Sequence, residues 1–475
     1  MATGHVHAHP RPYGLRLPRR RRDASRAPPL AWAGFAVVAG LGVGAAATLD
    51  LAIALPAAFA LALAPLLLLY PATLVPLIVV VLYVQATTLS GVTIDRLIAP
   101  VALFVVVAAL LRGGAFLRGG NPIGWVVAYS LWALASTLWT VHLGETGYLL
   151  ASLVISLVYM LVFAALVASE RDLVRVLVAV AVASCAVGLI AIVTFQGTRS
   201  VAASGDPNFF AALELVALPL VLAAAGIARA RWVRAALYTV VVVLVMAVLT
   251  TLSRGGLLTL ATIVFFILAL PAGSFLRSRA QKVAVVLVLT LAGTVAYSVV
   301  AQDLVPRIQH VFTEEGKTGS GRLNAWRAAW ASIQERPVLG LGYGGFDPVA
   351  NDLMLRTPGV DLANFELRAG GLKAHSAYIG TAAELGIPGL LLFLGLVGST
   401  LRALRRTVAR ARLEGADFVA RIANALFVAL AGWSVASLFL SSETARPLWV
   451  ILGLTLALPK LLDDRAAGRR TAAAG

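Results

Sequence analysis

The chain has 475 residues, 60% of them hydrophobic and only 13% charged, with a mean hydropathy of +0.89 and a formal net charge of +17. Globular domains run nearer about 45–50% apolar and about 25% charged, so lipid is the solvent for most of this chain and a water-soluble fold is excluded. Six His and the single Cys185 supply no ligand set for zinc or iron–sulfur and no intrachain disulfide, so no metal and no other cofactor is expected.

Residues 1–29 are rich in Arg, Pro and His, have no apolar period and read as a disordered basic tail. His5, His7 and His9 alternate in it, as a metal tract or simply as solvated side chains. Apolar stretches long enough to span a bilayer follow near 31–48, 51–69, 72–89, 97–111, 123–140, 148–168 and 173–195. A second series lies near 208–228, 235–252, 255–272, 283–300, 376–400, 419–440 and 445–461. Pro56, Pro65, Pro71 and Pro76 blur the first three. The expectation is an all-α polytopic membrane protein of about 12–14 transmembrane helices. Its parts are a bundle over 30–300, a loop subdomain over 301–374, further spans over 375–462 and a tail over 463–475.

With both termini in the cytoplasm, the inner loops and tails carry about 27 of the 39 Lys and Arg residues, and the short outer loops carry four: Arg96, Arg199, Arg254 and Arg446. This positive-inside bias accounts for the surplus charge through membrane lipids, without nucleic acid. The loop over 301–374 then lies outside. Its best helix starts after Ser320, with Leu323, Trp326, Trp330 and Ile333 along one face before Pro337 stops it.

Chemistry concentrates on that outer side. Arg254, in Ser253-Arg254-Gly255-Gly256 between two spans, needs an anion beside it, either a ligand or a carboxylate such as Glu384 or Glu443. Arg322 opens the loop helix and suits bidentate phosphate binding, or is a solvated helix-start charge. His375 stands where the loop re-enters the bilayer, as a general base for a hydroxyl nucleophile or as an interfacial imidazole bonded to backbone. Asp206-Pro207-Asn208 is a turn and helix cap first and a polar ligand contact second. Trp326 and Tyr343 offer flat faces to sugar rings or pack the loop, and Tyr378 and Glu384 sit on the span after His375. Glu214 is a second carboxylate inside a span, with no partner assigned. The glycine-rich Gly340–Gly345 run lacks the βαβ setting of a nucleotide loop.

Four motifs in order give the chain its resemblance to the O-antigen ligase and polymerase superfamily of bacterial envelope glycosyltransferases. They are Asp206-Pro207-Asn208, Ser253-Arg254-Gly255-Gly256, the Arg322 helix running into Arg336-Pro337-Val338-Leu339-Gly340-Leu341-Gly342, and His375-Ser376 leading to Glu384-Leu385-Gly386-Ile387-Pro388-Gly389. The resemblance covers about residues 205–400 and implies a GT-C-like fold in the bacterial cytoplasmic membrane, with an extracytoplasmic active site. It also implies metal-independent, inverting transfer of a glycan from an undecaprenyl-diphosphate-linked donor to the sugar hydroxyl of a glycan or lipid-linked acceptor. Arg254 and Arg322 would hold the diphosphate and His375 would be the base. Asp206, Asn208, Ser253, Trp326, Tyr343, Tyr378 and Glu384 are the expected binding residues. The competing expectations are a secondary transporter or flippase of lipid-linked oligosaccharide, which should show discontinuous midplane helices, and a non-catalytic scaffold.

Overall fold

In a computed structural model of the chain, the described residues are 67, 69–84, 88–89, 92–111, 121–197, 199–201, 205–271, 274, 276, 278–291, 293–294, 317–360, 372–441 and 444–474. All belong to one compact unit, Phe59–Gly475. The basic tail, the span near 31–48 and that near 51–69 except Leu67 and Leu69 fall outside them, as do His310 and Glu443.

After a 3-10 turn at Pro71–Thr73 the helices are α1 Leu74–Tyr83, α2 Ile94–Leu111, α3 Asn121–Ala135, α4 Leu143–Leu166 and α5 Glu170–Val193. Next come α6 Pro207–Ile227, α7 Arg231–Thr250, α8 Arg254–Ala269 and α9 over 279–291. The last are α10 Lys317–Glu335, α11 Phe346–Arg356, α12 Ala377–Leu413, α13 Asp417–Ala436 and α14 Arg446–Ala474. A two-residue ladder, Thr88–Leu89 with Val92–Thr93, is the one sheet among the described residues. Six helices, α4 to α7, α12 and α13, are long and apolar enough to cross a membrane. The protein is thus an all-helical, polytopic membrane protein.

α6 is the centre. Its buried run from Phe210 to Gly226 packs against α7 and α13, with α5 and α8 beside it. Residues without bulk allow this: a Cβ on Gly256 of α8 would stand 2.9 Å from the Ala211 Cβ of α6. Around this centre α14 lies along α4, α12 along α13 and α3, and α1 along α5.

α10 starts at Lys317, before Ser320, and its buried face is not the expected one. Ala325, Ala328, Ala329, Ser332 and Ile333 face inward, while Leu323 and Trp330 are more than half exposed. The reason is steric. α10 packs against both α11 and α12, and alanines let its backbone approach where Leu and Trp would hold it away.

Candidate functional site

Helices α6, α8 and α12 all begin at one end of the bundle, and each beginning is fixed by its own cap. Asp206 Oδ1 accepts from the N–H groups of Asn208 (2.6 Å) and Phe209 (3.0 Å), so Asp206 is the cap that the turn motif predicts. Ser253 Oγ accepts from Gly256 N (3.0 Å), and Ser376 Oγ accepts from Ile379 N. The three caps converge. Ser253 Oγ donates to Asn208 Oδ1 (2.8 Å), and Ala377 N donates to the carbonyls of Ser437 and Leu440, both at 2.9 Å. Between them lies a small cleft lined by Asn208, Ala212, Ser253, Gly255, Gly256, Ala436, Phe439 and Leu440.

α10 closes over this cleft. The Trp326 ring stacks on Phe439, with centroids 6.4 Å apart, and its Nε1 donates to Ala374 O at 2.8 Å. Arg322, one turn earlier on the same helix, is thereby brought to the same end as Arg254, the first residue of α8. Burial pushes the Arg322 guanidinium below its ordinary value, Asp206 opposes that shift, and Arg254 adds to it. Each of these couplings requires proximity. Two half-buried guanidiniums and one carboxylate, itself occupied as a helix cap, leave a local excess of positive charge that suits an anion.

His375 follows Ala374 directly, so the Trp326 bond and the Ser376 cap hold it from both sides. Its φ is +49°, and Leu252, two residues before Arg254, has φ +50°; among the described residues these are the non-glycine positions in left-handed backbone. Such a conformation is unfavourable by about 1–3 kcal/mol and persists only where the surroundings impose it.

Tyr343, Tyr378 and Glu384 are turned into the protein rather than into the cleft, contrary to the binding role expected of them. Tyr343 is 1% exposed and edge-on to Tyr129. Tyr378 Oη donates to Ser434 O at 2.8 Å. Glu384 Oε2 accepts from Gly344 N at 2.8 Å. The physical reason lies in the break of α12 at Gly386, where φ +68° and ψ −176° end the helical ladder. The carbonyls freed there accept from the Gly340–Gly345 run and its neighbours. Leu341 N donates to Ala383 O, Gly342 N to Glu384 O and Trp132 Nε1 to Leu385 O, while Ile387 N donates to Pro337 O. The glycine-rich loop is a clasp on a broken helix. The discontinuity that a transporter would use for substrate is filled by the protein's own backbone.

The other arginines assigned to short outer loops are held by protein groups. Arg96 lies over the Tyr148 ring at 4.5 Å. Arg446 Nη2 donates to Asp95 Oδ2 at 2.6 Å. Arg199 gives Nε to Thr251 O (3.1 Å) and Nη2 to Asn208 Oδ1 (2.8 Å). Arg199 and Phe439 therefore belong to the site, and sequence reasoning missed both. The scarcity of outer-loop cations that singled out Arg254 applied equally to Arg199, whereas nothing marked Phe439 among the apolar residues around it.

Residues 239–394 match the family described as O-antigen ligase. That match supports the resemblance to the O-antigen ligase/polymerase superfamily. The matched stretch, about a third of the chain, holds Arg254, Arg322 and His375, while Arg199, Asp206 and Asn208 lie before it. No curated protein matches the chain. The match points to an O-antigen ligase-like function, the transfer of lipid-linked glycan.

Proposed function

We propose that this protein transfers a glycan from an undecaprenyl-diphosphate carrier to an acceptor sugar hydroxyl, by direct displacement at the anomeric carbon with inversion. Arg254 and Arg322 hold the diphosphate and stabilise the charge gathering on it as it departs, without a metal. His375 takes the proton of the attacking hydroxyl. Asp206, Asn208, Ser253 and Trp326 shape the pocket. The observation that carries this reading is that Trp326, one turn after Arg322, bonds the residue before His375 through Nε1 and stacks on Phe439, which lines the cleft with Ser253, the residue before Arg254.

A second feature supports it. A groove of about 460 Å³, almost wholly apolar, runs down α8 from Leu257, three residues past Arg254, to Leu268, walled by Leu249 of α7 and Leu289 of α9. Eleven helical residues make roughly 16 Å, a path along which a polyprenyl tail lies with its diphosphate at Arg254. At the site end the short loops carry Arg96, Arg199, Arg254 and Arg446, and the eight basic residues of 301–374 are balanced by eight acidic ones, whereas the opposite end holds Arg402, Arg405, Arg406, Arg410, Arg412, Arg465 and Arg469. That supports an extracytoplasmic site, with both termini in the cytoplasm of a bacterial inner membrane.

Reconstitution tests the reading. Full-length protein in liposomes, given a lipid-linked donor and a sugar acceptor, is expected to form a new glycosidic bond with no ion gradient and with chelator present. Movement of the donor between leaflets without bond formation would overturn it in favour of a flippase.

A further inference from the structure

We propose that Arg199 is a positioning residue for the Asn208 side chain, fixing it so that its amide NH₂ group is a hydrogen-bond donor to an oxygen of the bound diphosphate. This rests on the diphosphate-transfer reading above. Asn208 Oδ1 accepts two hydrogen bonds, from Arg199 Nη2 and from Ser253 Oγ, both at 2.8 Å. Neither donor tolerates an NH₂ group in that place. A guanidinium has no acceptor, and the Ser253 hydroxyl, which already accepts from Gly256 N, has its one proton left to give. The orientation of the Asn208 amide is therefore dictated by chemistry.

Two consequences follow. Among the described residues the Asn208 Nδ2 finds no protein acceptor, and the side chain lines the cleft with Ser253, Gly255 and Phe439. Its N–H groups are thus offered to a ligand oxygen beside Arg254, the residue after Ser253. Arg199 is itself held by a second bond, from Nε to Thr251 O, and Ser200 N donates to Thr250 O at 3.0 Å, so the guanidinium is anchored to the end of α7.

Binding of radiolabelled undecaprenyl diphosphate to the full-length protein in nanodiscs tests this, with thermal midpoints measured alongside. Asn208→Asp keeps both accepted bonds and removes the donors, so it is expected to weaken binding by about tenfold or more at an unchanged or raised midpoint. Arg199→Ala should weaken binding by about tenfold, and Arg199→Lys, a single-point donor that cannot reach both oxygens, by less. Because Arg199 acts through Asn208, adding Arg199→Ala to Asn208→Asp should weaken binding no further. Wild-type-like binding by Asn208→Asp would overturn the inference, as would full additivity of the two changes; if Arg199→Ala does not fold, Asn208→Asp decides alone. Failure of the folded wild-type protein to bind the diphosphate would instead remove the functional reading, and this inference with it.

Discussion

Leu252 and His375 are large side chains in backbone that normally belongs to glycine, and both adjoin the arginine and histidine cluster. Stored strain of this kind aims a side chain where the relaxed chain would not. At His375 the strained residue lies between the Trp326 bond at Ala374 and the Ser376 cap. In the transfer assay with folded protein, His375→Ala should lower the rate by about 10²–10⁴, and Arg254→Ala and Arg322→Ala by about 10²–10³ each. Near-normal product from one variant removes that residue from the scheme. Asp347 makes a separate prediction at this scale. Burial raises its carboxyl above the ordinary 3.8, Lys373 opposes the shift and Glu145 adds to it. The folded state thus holds that proton more tightly than the unfolded chain does. The stability gained is full below the ordinary value and lost as pH rises through the raised one. Asp347→Asn should therefore melt higher than wild type at neutral pH, with the gap closing on acidification; a gap constant with pH would show that burial of the charge is not its cause.

Among the elements, α12 depends most on a partner. Its break at Gly386 leaves carbonyls in the apolar zone that the 337–344 clasp and Trp132 satisfy. The clasp in turn needs glycine where it is tightest. A Cβ on Gly342, at φ +88°, would come within 2.3 Å of the Thr140 Cβ, whereas Gly359, at φ +80°, has nothing within 4 Å. Gly359→Ala should be destabilised by strain alone, about 1–2 kcal/mol, and Gly342→Ala by a further 1–3 kcal/mol or so of overpacking. Thermal midpoints of the two variants separate the effects, and equal losses would mean that the clasp yields. Glu214, the carboxylate inside α6, is fully buried, and neither of its oxygens makes a hydrogen bond. Its environment gives the polar group no compensation, and nothing in the structure explains its presence.

The whole molecule is held together at its site end by a buried ion pair. Arg446, at the start of α14, donates through Nε and Nη2 to Asp95 Oδ2 on α2 and through Nη1 to Ser152 Oγ on α4. The two side chains are 11% and 6% exposed, so removing one strands the other. Arg446→Met should destabilise the fold by about 3–5 kcal/mol, and adding Asp95→Asn should restore part of it. The readout is the urea midpoint in detergent micelles, and an unchanged midpoint for the single variant would mean that water reaches the pair.

Composition and apolar period by themselves determined the membrane class, the succession of helices and most of their ends, because a lipid solvent demands long apolar runs with caps and charge at their limits. Asp206 and Ser253 were legible as caps for the same reason, since a cap is a local interaction. Only the tertiary structure decided which side chains meet. The alanine face of α10, the Phe439 wall and the Arg199–Asn208–Ser253 link join segments far apart in the chain. The withdrawal of Tyr343, Tyr378 and Glu384 into the fold was decided in the same way, because the backbone of a helix broken at Gly386 takes its partners from whatever packs against it, and no local pattern encodes that neighbour.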